Sequence, residues 1–144
     1  VFGLGWLGGT TNEQQKERGL NEEDIQALVA DEQRCWIDLQ HLQPRWQHLR
    51  KSHGSLCHQL IENPGHDLDL TIALMATLDG VVTTRQTVAH LAGALELQGT
   101  ILVPTRQEWR YSQDDGPWKW YPNLQCHNQI KRGDWNLNIQ QLFC

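Results

Sequence analysis

The chain reads as mainly α. Heptad-repeat helices form a coiled coil or helical bundle, expected as a trimer, with a small disulfide-stapled Trp-rich region at the C-terminal side. Three observations predict this. Apolar residues recur at an alternating three-and-four spacing through residues 25–60, the 3.5-residue period of supercoiled helices. An uncharged, glycine-rich stretch, Val1–Gly9, stands ahead of that region. Four of the seven tryptophans fall from Trp109 to Trp135, in the same stretch as Cys126.

Taken in order, residues 1–19 comprise the apolar segment and a polar linker. Phe2, Leu4, Trp6 and Leu7 lie on a glycine-rich end with little tertiary structure to bury them, so something apolar is expected to receive them. The first residue is not Met and the sole Met is Met75, which leads us to expect a terminus made by cleavage. Residues 20–62 form the heptad region. Asn21 is a good N-cap, and Glu22, Glu23 and Asp24 follow in the first turn, where the helix dipole favours anions. The expected core is Ile25, Leu28, Cys35, Leu39, Leu42, Trp46, Leu49, Leu56 and Leu60, interrupted by Glu32 and His53. Pro44 predicts a kink near Gln43, and two antiparallel helices are the alternative to one rod. Neutral His53 in a packed seam is a candidate acid sensor, because protonated copies would repel one another.

Residues 63–99 are expected to form a second helical segment after the Asn63-Pro64-Gly65 stop, with Asp67 or Asp69 as its cap. Thr83, Thr84, Thr87 and the Val81-Val82 pair lower its helix propensity. Residues 100–144 change texture. Thr100–Val103, closed by Pro104, suits a strand, and Asp115-Gly116-Pro117 a turn.

Composition limits the function. The 144 residues make one domain in size, with net charge −5, and the scattered basic residues argue against a nucleic-acid partner. No apolar run is long enough to span a bilayer as a helix. The four cysteines, Cys35, Cys57, Cys126 and Cys144, form no C-x-x-C pair and are disulfide candidates. Cys126–Cys144 would staple the Trp-rich end. Cys35 and Cys57 would be roughly 33 Å apart on a straight helix, so their pairing would need a fold-back near Pro44.

Gly3-x-Gly5-x-x-Gly8 matches a dinucleotide-binding pattern, but that motif works only between a strand and a helix. With two residues before Gly3, the sequence offers no strand, and the reading is set aside. His53 and Cys57 lack an evident third ligand, so no metal is expected. No nucleophile–base arrangement stands out, no cofactor is expected, and the chain does not read as an enzyme. Arg132-Gly133-Asp134 spells the tripeptide that integrins read on exposed loops.

The order of Val1–Gly9, polar spacer and Ile25–Leu60 seam resembles the fusion subunit of a class I viral membrane-fusion glycoprotein. The resemblance implies that Val1, Phe2, Leu4, Trp6 and Leu7 enter a target lipid membrane, and that a homotrimeric coiled coil refolds behind them to fuse virus with cell. It also implies a receptor-binding subunit cleaved from the same precursor, and a place on the virion envelope or host cell surface. Two alternatives are a secreted disulfide-stapled helical receptor-binding protein, possible through Arg132-Gly133-Asp134, and an intracellular coiled-coil adaptor.

Overall fold

Strands occupy the places where apolar and β-branched residues run without a break. A computed structural model of the chain describes residues 1–30, 33–40, 57–58 (backbone only), 60–61, 64–106, 108–111 and 114–142. Strand β1 is Phe2–Gly5, followed by helices α1 (Asn12–Arg18) and α2 (Glu22–Val29). Strands β2 (Trp36–Asp38) and β3 (Cys57–His58) lead to helix α3 (Leu68–Met75), strand β4 (Gly80–Thr84) and helix α4 (Thr87–Ala94). Strand β5 (Gly99–Val103), the pair β6 (Gly116–Trp118) and β7 (Tyr121–Asn128), and helix α5 (Asn136–Gln141) complete the described elements.

The strands form one seven-stranded sheet in the order β3-β2-β1-β4-β5-β7-β6. All neighbours are parallel except β6, which runs antiparallel to β7 at the edge. The chain steps outward from β1 to β2 and β3, then returns to the other side of β1 and steps outward again through β4 and β5. Strand order therefore reverses between β1 and β4. This is a doubly wound α/β sheet, buried on both faces, which is why β4 reads Gly-Val-Val-Thr-Thr with every residue buried.

Alternate residues of each central strand feed two cores. Val81, Ile101 and Ile37 pack with Met75, Ala89 and Ala92 of α3 and α4. Val82, Leu102 and Trp36 face the opposite way and meet Ile25 and Leu28 of α2 and Ile139 of α5. Beyond β5, Tyr111 stacks on Trp118 (centroids 4.8 Å apart) and Trp118 on Trp120 (6.0 Å), and His90 of α4 meets Trp118 edge-on at 5.2 Å.

This architecture overturns the mainly α, heptad-repeat expectation. Among the described residues no helix exceeds eight residues. The seam holds for Ile25 and Leu28, buried on α2, but α2 ends at Val29 and the chain then extends into β2. Cys35, expected in the core, is an exposed free thiol, whereas its neighbour Trp36 is fully buried. Leu39 is buried beside β2, not in a coil, and Leu60 is exposed. Leu42, Trp46, Leu49, His53 and Leu56 lie outside the described residues, as do Cys144 and the side chain of Cys57.

The membrane-inserting segment is corrected in the same way. Leu4, Trp6 and Leu7 are 0, 3 and 4% exposed, because β1 is the middle of the sheet and the turn after it packs into the α2 core. Phe2 packs against that core, with its ring 5.9 Å from Trp36, and only Val1 of the five is exposed. With β1 in the sheet and no long helix behind it among the described residues, the fusion-subunit resemblance fails. The expected second helical segment, 63–99, divides into α3, β4 and α4, since the β-branched run Val81–Thr84 prefers a strand. The Trp-rich end is part of the same sheet. Its Cys126 is buried in β7 opposite Ile101. No helix among the described residues is long and apolar enough to cross a membrane.

Candidate functional site: a crevice at the switch point

In open α/β sheets the place where strand order reverses leaves a crevice outside the C-terminal strand ends. Here the turns after β1 and β4 flank it, joined by the ends of β2 and the segment before α3. They enclose a cavity of about 520 Å³, within the size range of small-molecule sites. Leu7, Gly8 and Gly9 come from the first turn, Arg18 from α1, Leu39 and Gln40 from beyond β2, and Arg85, Gln86 and Thr87 from the second turn.

The first turn is built close. A side chain at Gly8 would bring Cβ to 2.7 Å from the Arg85 carbonyl oxygen, and Gly9 adopts φ +102°, so both positions need glycine. The rest of the turn is bonded within the protein. Leu7 and Trp6 donate their backbone N–H groups to Gln40 Oε1 at 2.8 and 3.2 Å, and Gln40 Nε2 donates to the Leu7 carbonyl at 3.0 Å. The Trp6 indole N–H donates to Asp38 Oδ1 at 3.1 Å, and Asp38 also accepts the backbone N–H of Gln40 at 2.8 Å. Thr10 N–H goes to Gln14 Oε1 at 3.0 Å.

The second turn is different. Helix α4 starts after Gln86 with no side-chain cap, and its first residues, Thr87 and Val88, line the crevice. Gln86 instead donates to Thr83 Oγ1 at 3.3 Å. Thr84 Oγ1 is buried and has no hydrogen-bond partner among the described residues; the same holds for Arg85 Nε and for Arg18 Nε. Arg85 is nearly inaccessible, and its Nη1 donates to the Arg106 carbonyl at 3.0 Å. Burial first, and the neighbouring Arg18 second, push its guanidinium below the ordinary arginine value. Such a group gains from a further anion.

The cavity lining holds Arg18 and Arg85 and, among the described residues, no carboxylate, although the chain as a whole carries −5. The nearest countercharge, Glu108, lies outside the lining at 3.4 Å from each arginine. Guanidinium N–H groups and a helix start without a side-chain cap can together donate to phosphate oxygens.

The glycine pattern Gly3-x-Gly5-x-x-Gly8 begins within a strand and precedes a helix, so the ground for setting it aside, that no strand is there, is removed. It nevertheless departs from the dinucleotide arrangement. Gly3 lies inside β1, where a Cβ would strike the Leu39 and Leu78 side chains at 2.5 and 2.9 Å, and α1 opens only at Asn12. The acid at the end of β2, Asp38, is 2% exposed and bonded to Trp6 and Gln40.

Other residues singled out from sequence fall elsewhere. Arg132-Gly133-Asp134 forms a turn bridged between Lys131 and Asp134, remote in role from the crevice. Arg132 pairs with Glu17 at 3.5 Å, and Asp134 pairs with Lys131 at 3.5 Å while accepting the Asn136 N–H at 3.1 Å. That backbone bond holds the Asp134 carboxyl below its usual range. Sequence reasoning missed Thr84, Arg85, Gln86 and Thr87. The signal was there: a β-branched run ending in Thr-Thr-Arg-Gln-Thr ahead of an Ala-rich helix is a strand–turn–helix pattern. Compared with family models, curated proteins and solved structures, the chain matches none.

Proposed function

We propose that this chain is a nucleotide-binding domain whose crevice holds the phosphates of a nucleoside diphosphate, free or esterified to a group that is transferred. The observation that carries the reading is the cavity lining: two arginines, no carboxylate among the described residues, and a start of α4 without a side-chain cap at a switch point. Arg85 and the α4 amides would meet the phosphate oxygens, with Thr87 as a hydroxyl donor. Gly8 and Gly9 let the first turn approach closely. Leu39, Leu68 and Leu91 give the apolar part of the cavity, suited to a base or ribose face. In a transfer reaction the nucleoside diphosphate departs as an anion, and fixed donors aimed at it lower that barrier.

A second reading, a nicotinamide dinucleotide, is favoured by the strand order and by the glycine pattern. It fares less well because Asp38 is engaged and Gly3 is inside β1. Calorimetric titration with pyrophosphate, ADP, GDP, UDP, NAD and NADP separates the two. We expect pyrophosphate and at least one nucleoside diphosphate to bind, and to bind more tightly than either dinucleotide. Tighter binding of NAD or NADP would transfer support to the second reading, and silence with every phosphate compound would end both.

A further inference from the structure

The segment after β5 brings a carboxylate to the two arginines of the crevice. Glu108 Oε1 lies 3.4 Å from Arg85 Nη2 and 3.4 Å from Arg18 Nη2. Its other oxygen is hydrogen-bonded by the more exposed Arg110. Glu108 does not line the cavity; the two arginines do. One oxygen thus serves two guanidinium groups at a separation longer than the roughly 2.7–2.9 Å of a tight charge-assisted hydrogen bond. Both Nε–H groups stay without a hydrogen bond among the described residues. A phosphate group in the cavity offers several oxygens to the same donors.

We propose that Glu108 is an internal counter-anion of Arg18 and Arg85, and that phosphate entering the crevice takes its place. The inference rests on the nucleotide reading above and adds a positioning residue to that site. Without ligand, Glu108 keeps the buried Arg85 compensated and aimed. With ligand, the guanidinium groups turn to phosphate and Glu108 stays with Arg110, so occupancy of the crevice is communicated to the segment after β5. Trp109, the next residue, is 82% exposed and lies edge-on to Trp120 at 5.7 Å. It therefore reports on that segment.

The experiment is a pyrophosphate titration, read by calorimetry and tryptophan fluorescence, on the wild-type chain, Glu108→Gln and Trp109→Phe. Removal of the competing charge should tighten binding by about threefold or more at low salt, and the gain should shrink as salt rises. A purely structural role predicts the reverse, weaker binding at every ionic strength. Saturation should change wild-type fluorescence, and Trp109→Phe should lose that change while still binding. Glu108→Gln that binds no more tightly, or a fluorescence change that survives in Trp109→Phe, overturns the proposal. If Glu108→Gln does not fold, the fluorescence arm decides alone. Wild-type chain that binds no pyrophosphate removes the nucleotide reading together with this one; wild-type binding with failure of the variant arms removes only this one.

Discussion

The two turns that border the crevice are made for opposite ends. After β1, the chain spends its polar groups inward: Gln40 closes on Trp6 and Leu7, Asp38 on the Trp6 indole, and Gln14 on Thr10. After β4, it leaves Thr84 Oγ1 and Arg85 Nε without hydrogen-bond partners among the described residues, and α4 without a side-chain cap. Buried polar groups are ordinarily satisfied, and each exception asks for a cause. The comparison teaches that the first turn is held by its own hydrogen bonds, and that the plainer Thr-Thr-Arg-Gln-Thr turn carries the polar groups left for the proposed ligand.

The comparison is most severely tested at Trp6. Trp6→Ala removes a buried ring and strands Asp38 beneath it, so it should cost about 3–5 kcal/mol in urea unfolding. A loss of ligand affinity with stability intact would instead make the first turn a contact surface. Arg85→Met should do the converse. Pyrophosphate affinity should drop roughly tenfold or more, about 1.4 kcal/mol per factor of ten, with a smaller loss of stability than Trp6→Ala causes, because Glu108 keeps Arg18 and Arg110 as partners. Unfolding without any effect on binding would collapse the distinction between the turns.

The smallest effect concerns His90, on α4 against the rings of Trp118, Trp120 and Tyr121. Burial, then Arg110, holds its pKa below the ordinary 6.5. Above that value both folded and unfolded chains carry neutral imidazole, and His90 contributes no slope. As pH falls through it, the unfolded chain binds a proton that the fold resists, so stability declines until the folded pKa is passed. His90→Phe should flatten this part of a pH–stability curve. An unchanged slope would show that α4 is not tied to the aromatic cluster in the way its packing indicates.

Parts of this fold were legible in the sequence. The Asn21 cap of α2 forms, as a capping box with Asp24; Asp67 caps α3; and Thr100–Val103 lies within β5. What misled was periodicity. Ile25 and Leu28 are genuine helix-core positions, but Cys35 and Leu39 continue the three-and-four spacing across a helix end and a strand, where spacing has no helical meaning. Trp36 and Ile37, buried on opposite faces of the sheet, give a parallel strand no alternation to detect. The apolar start misled for the same reason: Phe2–Gly5 is oily because it is central to the sheet. The strand–turn–helix pattern marks the turn that holds Arg85, but the burial of Arg85 near Arg18 of α1, distant along the chain, is not legible in sequence.

Helix α4 is held at two stations. Its first residues line the crevice, and one turn later His90 is wedged among three aromatic rings. A short beam clamped that near its tip has little freedom to tilt. An arriving anion therefore meets donors already aligned, and the entropy of arranging them was spent when the chain folded.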